Sequence, residues 1–186
     1  MRDILKLGGI LFAITAVAAV LLGFTNMATS KVIAEREKAE KAEGLKTVLA
    51  DASEFEMVED LSLDGTIISE VNAGKANGEI VGYTFSALPI GYGGEINMLI
   101  GISAEGKLTG IQILSHNETP GLGAKATEPE FKDQFLGKSA EKPLTLVKKA
   151  TSSENEVQAI SGATITSTAV TDGINAAVDL YNQNLK

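Results

Sequence analysis

The sequence contains no cysteine, no tryptophan and a single histidine, His116, among its 186 residues. Without thiols there are no disulfides, no thiolate nucleophile, no cysteine-ligated iron–sulfur cluster and none of the usual Cys/His zinc arrangements. Any redox chemistry must therefore come from an organic cofactor. Basic residues are in the minority: 16 Lys+Arg against 24 Asp+Glu give a formal net charge of −8. Such a surface repels phosphate backbones, so no nucleic-acid partner is expected. Aromatic residues make up 5% and proline only four positions, whereas glycine reaches 19. The core is thus expected to be Ile, Leu, Val and Ala, and the loops rich in accessible backbone, which suits a site built from main-chain amides. The length allows one domain with an appendage and excludes a multi-domain machine.

The appendage is visible at once. From Leu7 to Ala28 the chain carries no charge, and at about 1.5 Å per helical residue this run is long enough to cross a hydrocarbon core of ~30 Å. A cleaved secretory signal is the competing reading, because Arg2 and Lys6 form a basic start. The apolar part of such signals usually spans only about 7–15 residues, so a retained single-pass anchor is expected. Lys31, Arg36, Lys38 and Lys41 on the far side balance Arg2 and Lys6, so the charge count alone does not orient the helix. A cytoplasmic N-terminus with an extracytoplasmic domain is the expectation, at the cell (inner) membrane.

Residues 30–53 are read as a charged membrane-proximal helix, with Ser30 as its N-cap and Glu37 and Lys41 at i,i+4 spacing. From Gly65 the period changes. Thr66–Val71, Ile80–Ala87, Ile96–Ile102 and Leu108–Leu114 are short runs rich in β-branched or apolar residues. The last two flank Ser103–Lys107, a glycine-containing hairpin loop, so the sheet is expected to be mostly antiparallel. A short helix over Glu128–Phe135, a strand over Leu144–Lys148 and a helix over Ser167–Asn182 complete the map. In that helix Val170, Ile174, Ala177, Val178 and Tyr181 share one face. The fold class is α+β: an anchor (1–29), the charged helix (30–53) and one domain (54–186) with its sheet flanked by helices.

Two loops hold the chemistry. Val157–Ser167 is a strand-like approach, a small-residue turn and a set of hydroxyls directly before the final helix. Free N–H groups at a helix start favour an anion, and Gly162 permits close approach of a phosphate. A helix cap at Thr166 or Ser167 with a plain turn at Gly162 accounts for the same residues. The second loop, Ser115–Lys125, opens at a strand end. Pro120, Gly121 and Gly123 fix its path, Leu122 offers an apolar contact, and His116, Asn117, Glu118 and Thr119 supply polar groups. Taken alone, it is equally a solvated turn.

Together these segments resemble a known family. The anchor, Gly91-Tyr92-Gly93-Gly94 before a strand, His116–Gly123 and Ser161–Ser167 are similar to the FMN-binding subunits of membrane redox complexes. These are the G subunit of the Rnf electron-transport complex and the C subunit of the sodium-translocating NADH:quinone reductase. The resemblance spans essentially the whole chain. It implies FMN held covalently by a phosphoester at Thr164, within Ser161, Gly162 and Ala163, and in contact with Glu118, Thr119, Gly121, Leu122 and Gly123. Thr166 ranks below Thr164 as acceptor, and Tyr92, Tyr83 and His116 are weaker contacts. No catalytic residue of the chain's own and no metal are implied. Gln158 stands where the family's attachment pattern usually has an acidic residue.

A threonine hydroxyl without a neighbouring base does not modify itself, so the resemblance also implies a flavin transferase using FAD and a divalent metal. The expected role is an electron carrier among the other subunits of an ion-translocating ferredoxin:NAD oxidoreductase. The alternatives are a stand-alone envelope flavoprotein passing electrons to an outside acceptor, the quinone-reductase C subunit, or a non-redox surface-binding module.

Overall fold

The computed structural model describes residues 2–59, 61–149 and 153–186. The chain divides into two units, Met1–Lys41 and Ala42–Lys186. Helix α1 (Arg2–Val48) supplies the described residues of the first. It is long and apolar enough to cross a membrane, and its large side chains, among them Phe12, Leu22 and Phe24, are exposed. The helix start expected at Ser30 does not exist: α1 runs straight through that position. The physical reason is local. No glycine or proline interrupts Phe24–Glu43, and the hydroxyls that could cap a new helix instead bond back along the existing one, Thr25 to Leu21 O at 2.8 Å and Thr29 to Thr25 O at 2.9 Å.

The second unit is built on a five-stranded antiparallel meander in the order β1 (Glu54–Met57), β2 (Ile68–Ala76), β3 (Glu79–Ala87), β4 (Asn97–Ser103) and β5 (Leu108–Ser115). Every neighbour in sequence is a neighbour in the sheet. The residue pattern marks the last four strands but not β1, and it ends β2 at Val71. The strand runs on to Ala76 and turns through Asn77 and Gly78, whose φ values of 52° and 85° are those of a two-residue hairpin loop. Beyond β5 come a 3-10 turn (Gly123–Thr127), α2 (Pro129–Lys132) and a second 3-10 turn (Asp133–Phe135), in place of one short helix. Strands β6 (Thr145–Val147) and β7 (Glu156–Gln158) then pair in parallel, and α3 (Thr164–Asn184) closes the chain.

The core lies between the sheet and α3. Phe85, Ile100, Ile102, Ile111 and Ile113 share one buried cluster with Val170, Ile174, Ala177, Val178 and Tyr181, the face read from the helical period. Asn175 ties α3 to the strand approach by accepting from Leu144 N–H at 2.7 Å and donating to Leu144 O at 3.0 Å.

The last turn of α1 and Leu49 pack into a strip of glycines on the sheet. A Cβ on Gly74 would lie 2.4 Å from Leu49 Cδ2, and one on Gly101 would lie 2.1 Å from the Val48 carbonyl oxygen. Thr109 Oγ1 donates to that same carbonyl. Because the obstacle at Gly101 is backbone, Gly101→Ala is expected to destabilise this unit by about 1–3 kcal/mol. Thermal unfolding of the detergent-solubilised chain measures this.

Candidate functional site

Three segments converge on one cavity of about 590 Å³, lined by Tyr92, Glu118, Thr119, Leu122, Gly123 and residues 162–166. That volume is within the roughly 300–1,000 Å³ typical of clefts that hold small molecules. The first wall is the glycine loop between β3 and β4, closed by Gly91 N–H to Gly94 O at 2.8 Å and Ile96 N–H to Pro89 O at 2.9 Å. The second is the loop after β5. There Leu122 and Ala124 N–H both donate to Thr119 O, at 3.1 and 3.2 Å, winding the chain into the 3-10 turn. The third is the start of α3.

Helix α3 begins at Thr164, upstream of the expected Ser167, and its N-cap is Ala163, which has no side chain able to cap. Neither Thr166 nor Ser167 caps the helix. Ser167 Oγ instead donates to Ala163 O at 2.9 Å and accepts from Ile160 N–H at 3.0 Å, locking the preceding turn onto the helix. Gly162, with φ +79°, stands at the third position of that turn, where glycine is favoured. Thr164 is exposed and occupies the first helical position. Its hydroxyl makes no hydrogen bond among the described residues. Thr166 is its opposite, 1% exposed, with Oγ1 donating to Glu118 Oε2 at 2.6 Å.

Glu118 is the buried charge of the site, 6% exposed. Its other oxygen, Oε1, accepts from Gly93 N–H at 3.0 Å, and its own N–H donates to His116 Nδ1 at 3.1 Å. Among the described residues no lysine or arginine forms an ion pair with it. Room for the carboxylate comes from missing side chains. A Cβ on Gly91 would lie 2.3 Å from Oε1 and one on Gly123 2.3 Å from Oε2. Gly93 instead lets the glycine loop meet the backbone of the second wall, since a Cβ there would lie 2.0 Å from Asn117 O. Around the mouth Tyr92, Leu122 and Ile165 present large exposed apolar surfaces.

Of the residues singled out in the sequence, the cavity gathers Thr164, Gly162, Ala163, Glu118, Thr119, Leu122 and Gly123. Ser161 faces an adjacent hollow of about 230 Å³ together with Gln158, Lys125 and Gln134. Gln158 ends β7, where its N–H donates to Gln134 Oε1 at 2.8 Å and its carbonyl accepts from Gln134 Nε2 at 3.3 Å. Gly121, at φ +77°, shapes the loop without lining the cavity. Tyr92 reaches the site, whereas Tyr83 packs edge-on against Tyr181 and His116 accepts from the Glu118 backbone without lining the cavity. Sequence reasoning passes over the socket roles of Gly91 and Gly93 and the pairing of Thr166 with Glu118. The Gly-x-Gly-Gly spacing is the available signal for the first; nothing local signals the second. Among the described residues no group of acidic or histidine side chains is arranged to hold a metal.

Comparison with known proteins gives a consistent result. Residues 91–179 match the FMN-binding domain family, and residues 1–48 match the RnfG N-terminal region. The G subunit of the Na⁺-translocating ferredoxin:NAD⁺ oxidoreductase complex of Acetobacterium woodii is 47% identical, over 99% of this chain and 94% of its own. The G subunit of an ion-translocating oxidoreductase complex from Methanosarcina acetivorans is 35% identical, over 96% and 94%. Among solved structures, the C subunit of the Na⁺-translocating NADH-quinone reductase of Parabacteroides distasonis aligns with a TM-score of 0.53 and 27% identity, over 61% of each chain. NqrC of Shewanella oneidensis shares the fold, with a TM-score of 0.54 and 22% identity over 62% of this chain and 60% of its own. The chain therefore spans about three fifths of the length of each of these solved structures.

Proposed function

The chain belongs to the family of G subunits of ion-translocating oxidoreductase complexes, and from that membership we propose that it is the FMN-bearing electron carrier of a membrane-bound, ion-translocating ferredoxin:NAD oxidoreductase. The observation that carries the reading is the contrast between its two site threonines: Thr164 is exposed at the cavity with an uncommitted hydroxyl, while Thr166 is buried and bonded to Glu118.

The residues suit a flavin nucleotide. Thr164 opens a helix of 21 residues whose first N–H groups have no side-chain cap, an electrostatic setting that favours a phosphate. Gly162 leaves the approach to that end free of a side chain. Leu122, Ile165 and Tyr92 offer apolar faces to a planar ring, and Thr119 adds a polar group at the same wall. FMN, when bound, supplies the one- and two-electron chemistry that these side chains lack. The chain's own task is to hold, orient and screen it.

The link at Thr164 is a phosphoester. Forming it requires a flavin transferase: the Thr164 oxygen bonds to the flavin-side phosphorus of FAD, the bond to AMP breaks, and the hydroxyl proton passes to a base of the transferase. Among the described residues no base of this chain hydrogen-bonds the Thr164 hydroxyl. Electrons then pass within a complex of other subunits, with α1 as a single-pass anchor at the cell membrane, the N-terminus cytoplasmic and the domain outside.

Three measurements test this. Full-length chain co-produced with a flavin transferase is expected to keep its yellow colour through acid precipitation and to gain one FMN in intact mass. Colour released into the supernatant, with an unmodified mass, refutes the covalent reading. Gentle extraction is expected to bring down several polytopic membrane proteins with it; a chain that purifies alone from its native membrane is instead a stand-alone flavoprotein. Because the sequence has no cysteine, orientation can be read from single introduced thiols. In intact cells a membrane-impermeant maleimide is expected to label Glu79→Cys and to spare Lys6→Cys, and the reverse pattern inverts the assigned topology.

A further inference from the structure

The carboxylate of Glu118 is more than the local geometry requires. It lines the cavity, yet it is 6% exposed and both its oxygens are engaged within the protein, one by Gly93 N–H and the other by Thr166 Oγ1. These bonds join the glycine loop, the loop after β5 and the first turn of α3, the three walls of the cavity. The two glycines that make room for it leave no slack: an added Cβ at Gly91 or Gly123 would fall 2.3 Å from a carboxylate oxygen. A glutamine in the same place would make both bonds, its carbonyl accepting from Gly93 and its amide donating to Thr166 Oγ1, without burying a charge. Hydrogen bonding explains the shape of the side chain but not its charge, and burial of an acceptor-only carboxylate without a cationic partner is unfavourable.

We infer that Glu118 is a positioning residue with an electrostatic function: it braces the three walls around the cofactor cavity and fixes a negative charge in the wall, which holds the reduction potential of the bound flavin low. This inference rests on the flavin reading given above. Its physical basis is simple. Reduction places added electrons in the ring, a fixed negative charge opposes that addition, and a partly desolvated setting screens the opposition less than water would. The glycine socket and Thr166 keep the charge from swinging away to solvent.

The test uses the full-length chain co-produced with a flavin transferase, compared as wild type, Glu118→Gln, Glu118→Ala and Thr166→Val. Flavin content is read by intact mass, folding by thermal unfolding before and after flavin loading, and potential by spectroelectrochemical titration. Glu118→Gln is expected to fold and, in the fraction that carries flavin, to favour the reduced form about tenfold more, a rise of ~30 mV for a two-electron couple. Thr166→Val, which removes one bond but keeps the charge, is expected to shift the potential less than Glu118→Gln. Glu118→Ala, which loses the brace and the charge, is expected to unfold at lower temperature even without flavin and to carry less of it.

A Glu118→Gln potential equal to that of wild type overturns the inference. So does an equal shift in Thr166→Val, which would assign the effect to the hydrogen bond, and so does failure of Glu118→Gln to fold. A wild-type chain that takes up no flavin removes the parent reading and this inference with it. A flavin-loaded wild type with an indifferent Glu118→Gln removes the inference alone.

Discussion

Thr164→Ala is expected to abolish covalent flavin outright, with the intact mass of the co-produced chain returning to that of the unmodified polypeptide. The effect is all-or-none because an ester needs an oxygen and alanine offers none. The rest of the site is expected to survive. Thr164 is exposed at the first turn of α3 and its hydroxyl bonds to nothing among the described residues, and alanine is at least as good a helix former. Thr164→Ser is expected to retain attachment, since it retains the hydroxyl.

The informative control is Thr166→Val, which changes a hydroxyl two residues away for an isosteric methyl. Attachment is expected to persist there while stability falls by about 1–3 kcal/mol, because Glu118 Oε2 loses its donor inside the protein. If Thr164→Ala keeps the FMN mass and Thr166→Val loses it, the acceptor has been misassigned.

Gly93→Ala is the second large effect. The added methyl would fall 2.0 Å from Asn117 O and 2.6 Å from its carbonyl carbon. Neither is a flexible side chain, so the glycine loop and the loop after β5 must part, and the Gly93 N–H leaves Glu118 as they do. A loss of about 3 kcal/mol is expected, at the upper end of overpacking costs, which lowers the midpoint of thermal unfolding by roughly 6–12 °C for a domain of this size. Flavin content should fall with it, since two walls of the cavity have moved. Gly121→Ala is the comparison: nothing lies within 4 Å of its added Cβ, and only its φ of +77° resists, so a cost nearer 1–2 kcal/mol is expected. Equal melting curves for Gly93→Ala and wild type would show that the loops do not pack as described.

Which parts of this are readable from the residues follows from the range of the interactions involved. The buried face of α3 is readable because Val170, Ile174, Ala177, Val178 and Tyr181 repeat with the helix itself. The hairpin at Ser103–Lys107 announces itself through Gly106, which sits at φ +74°. The extension of β2 to Ala76 escapes the pattern because Asn72-Ala73-Gly74-Lys75-Ala76 has no β-branched residue, and Leu49 packed on Gly74 substitutes for the missing side-chain signal. The start of α3 is read too late because a run of threonines and serines looks like a capping segment. In the fold, Ser167 turns inward and the cap position falls to Ala163.

The site's members are largely identified through family likeness, but their mutual arrangement is not. Thr166 and Glu118 are 48 positions apart, and no local pattern marks a contact of that separation. The same holds for Gly91 and Gly93, whose lack of side chains matters only once the loop after β5 brings the Glu118 carboxylate against the first and the Asn117 carbonyl against the second.

The meander order has a consequence in time. Strands β1 to β5 pair each with the next, so the sheet can assemble progressively as the polypeptide is made available, with little loop-closure entropy to overcome at each step. The cavity cannot: one of its walls, residues 162–166, comes with the start of α3, after the strands of the sheet have been made. On the flavin reading proposed above, a chain shortened before α3 is expected to hold no cofactor however well its sheet had formed, because one wall of the cavity would be missing.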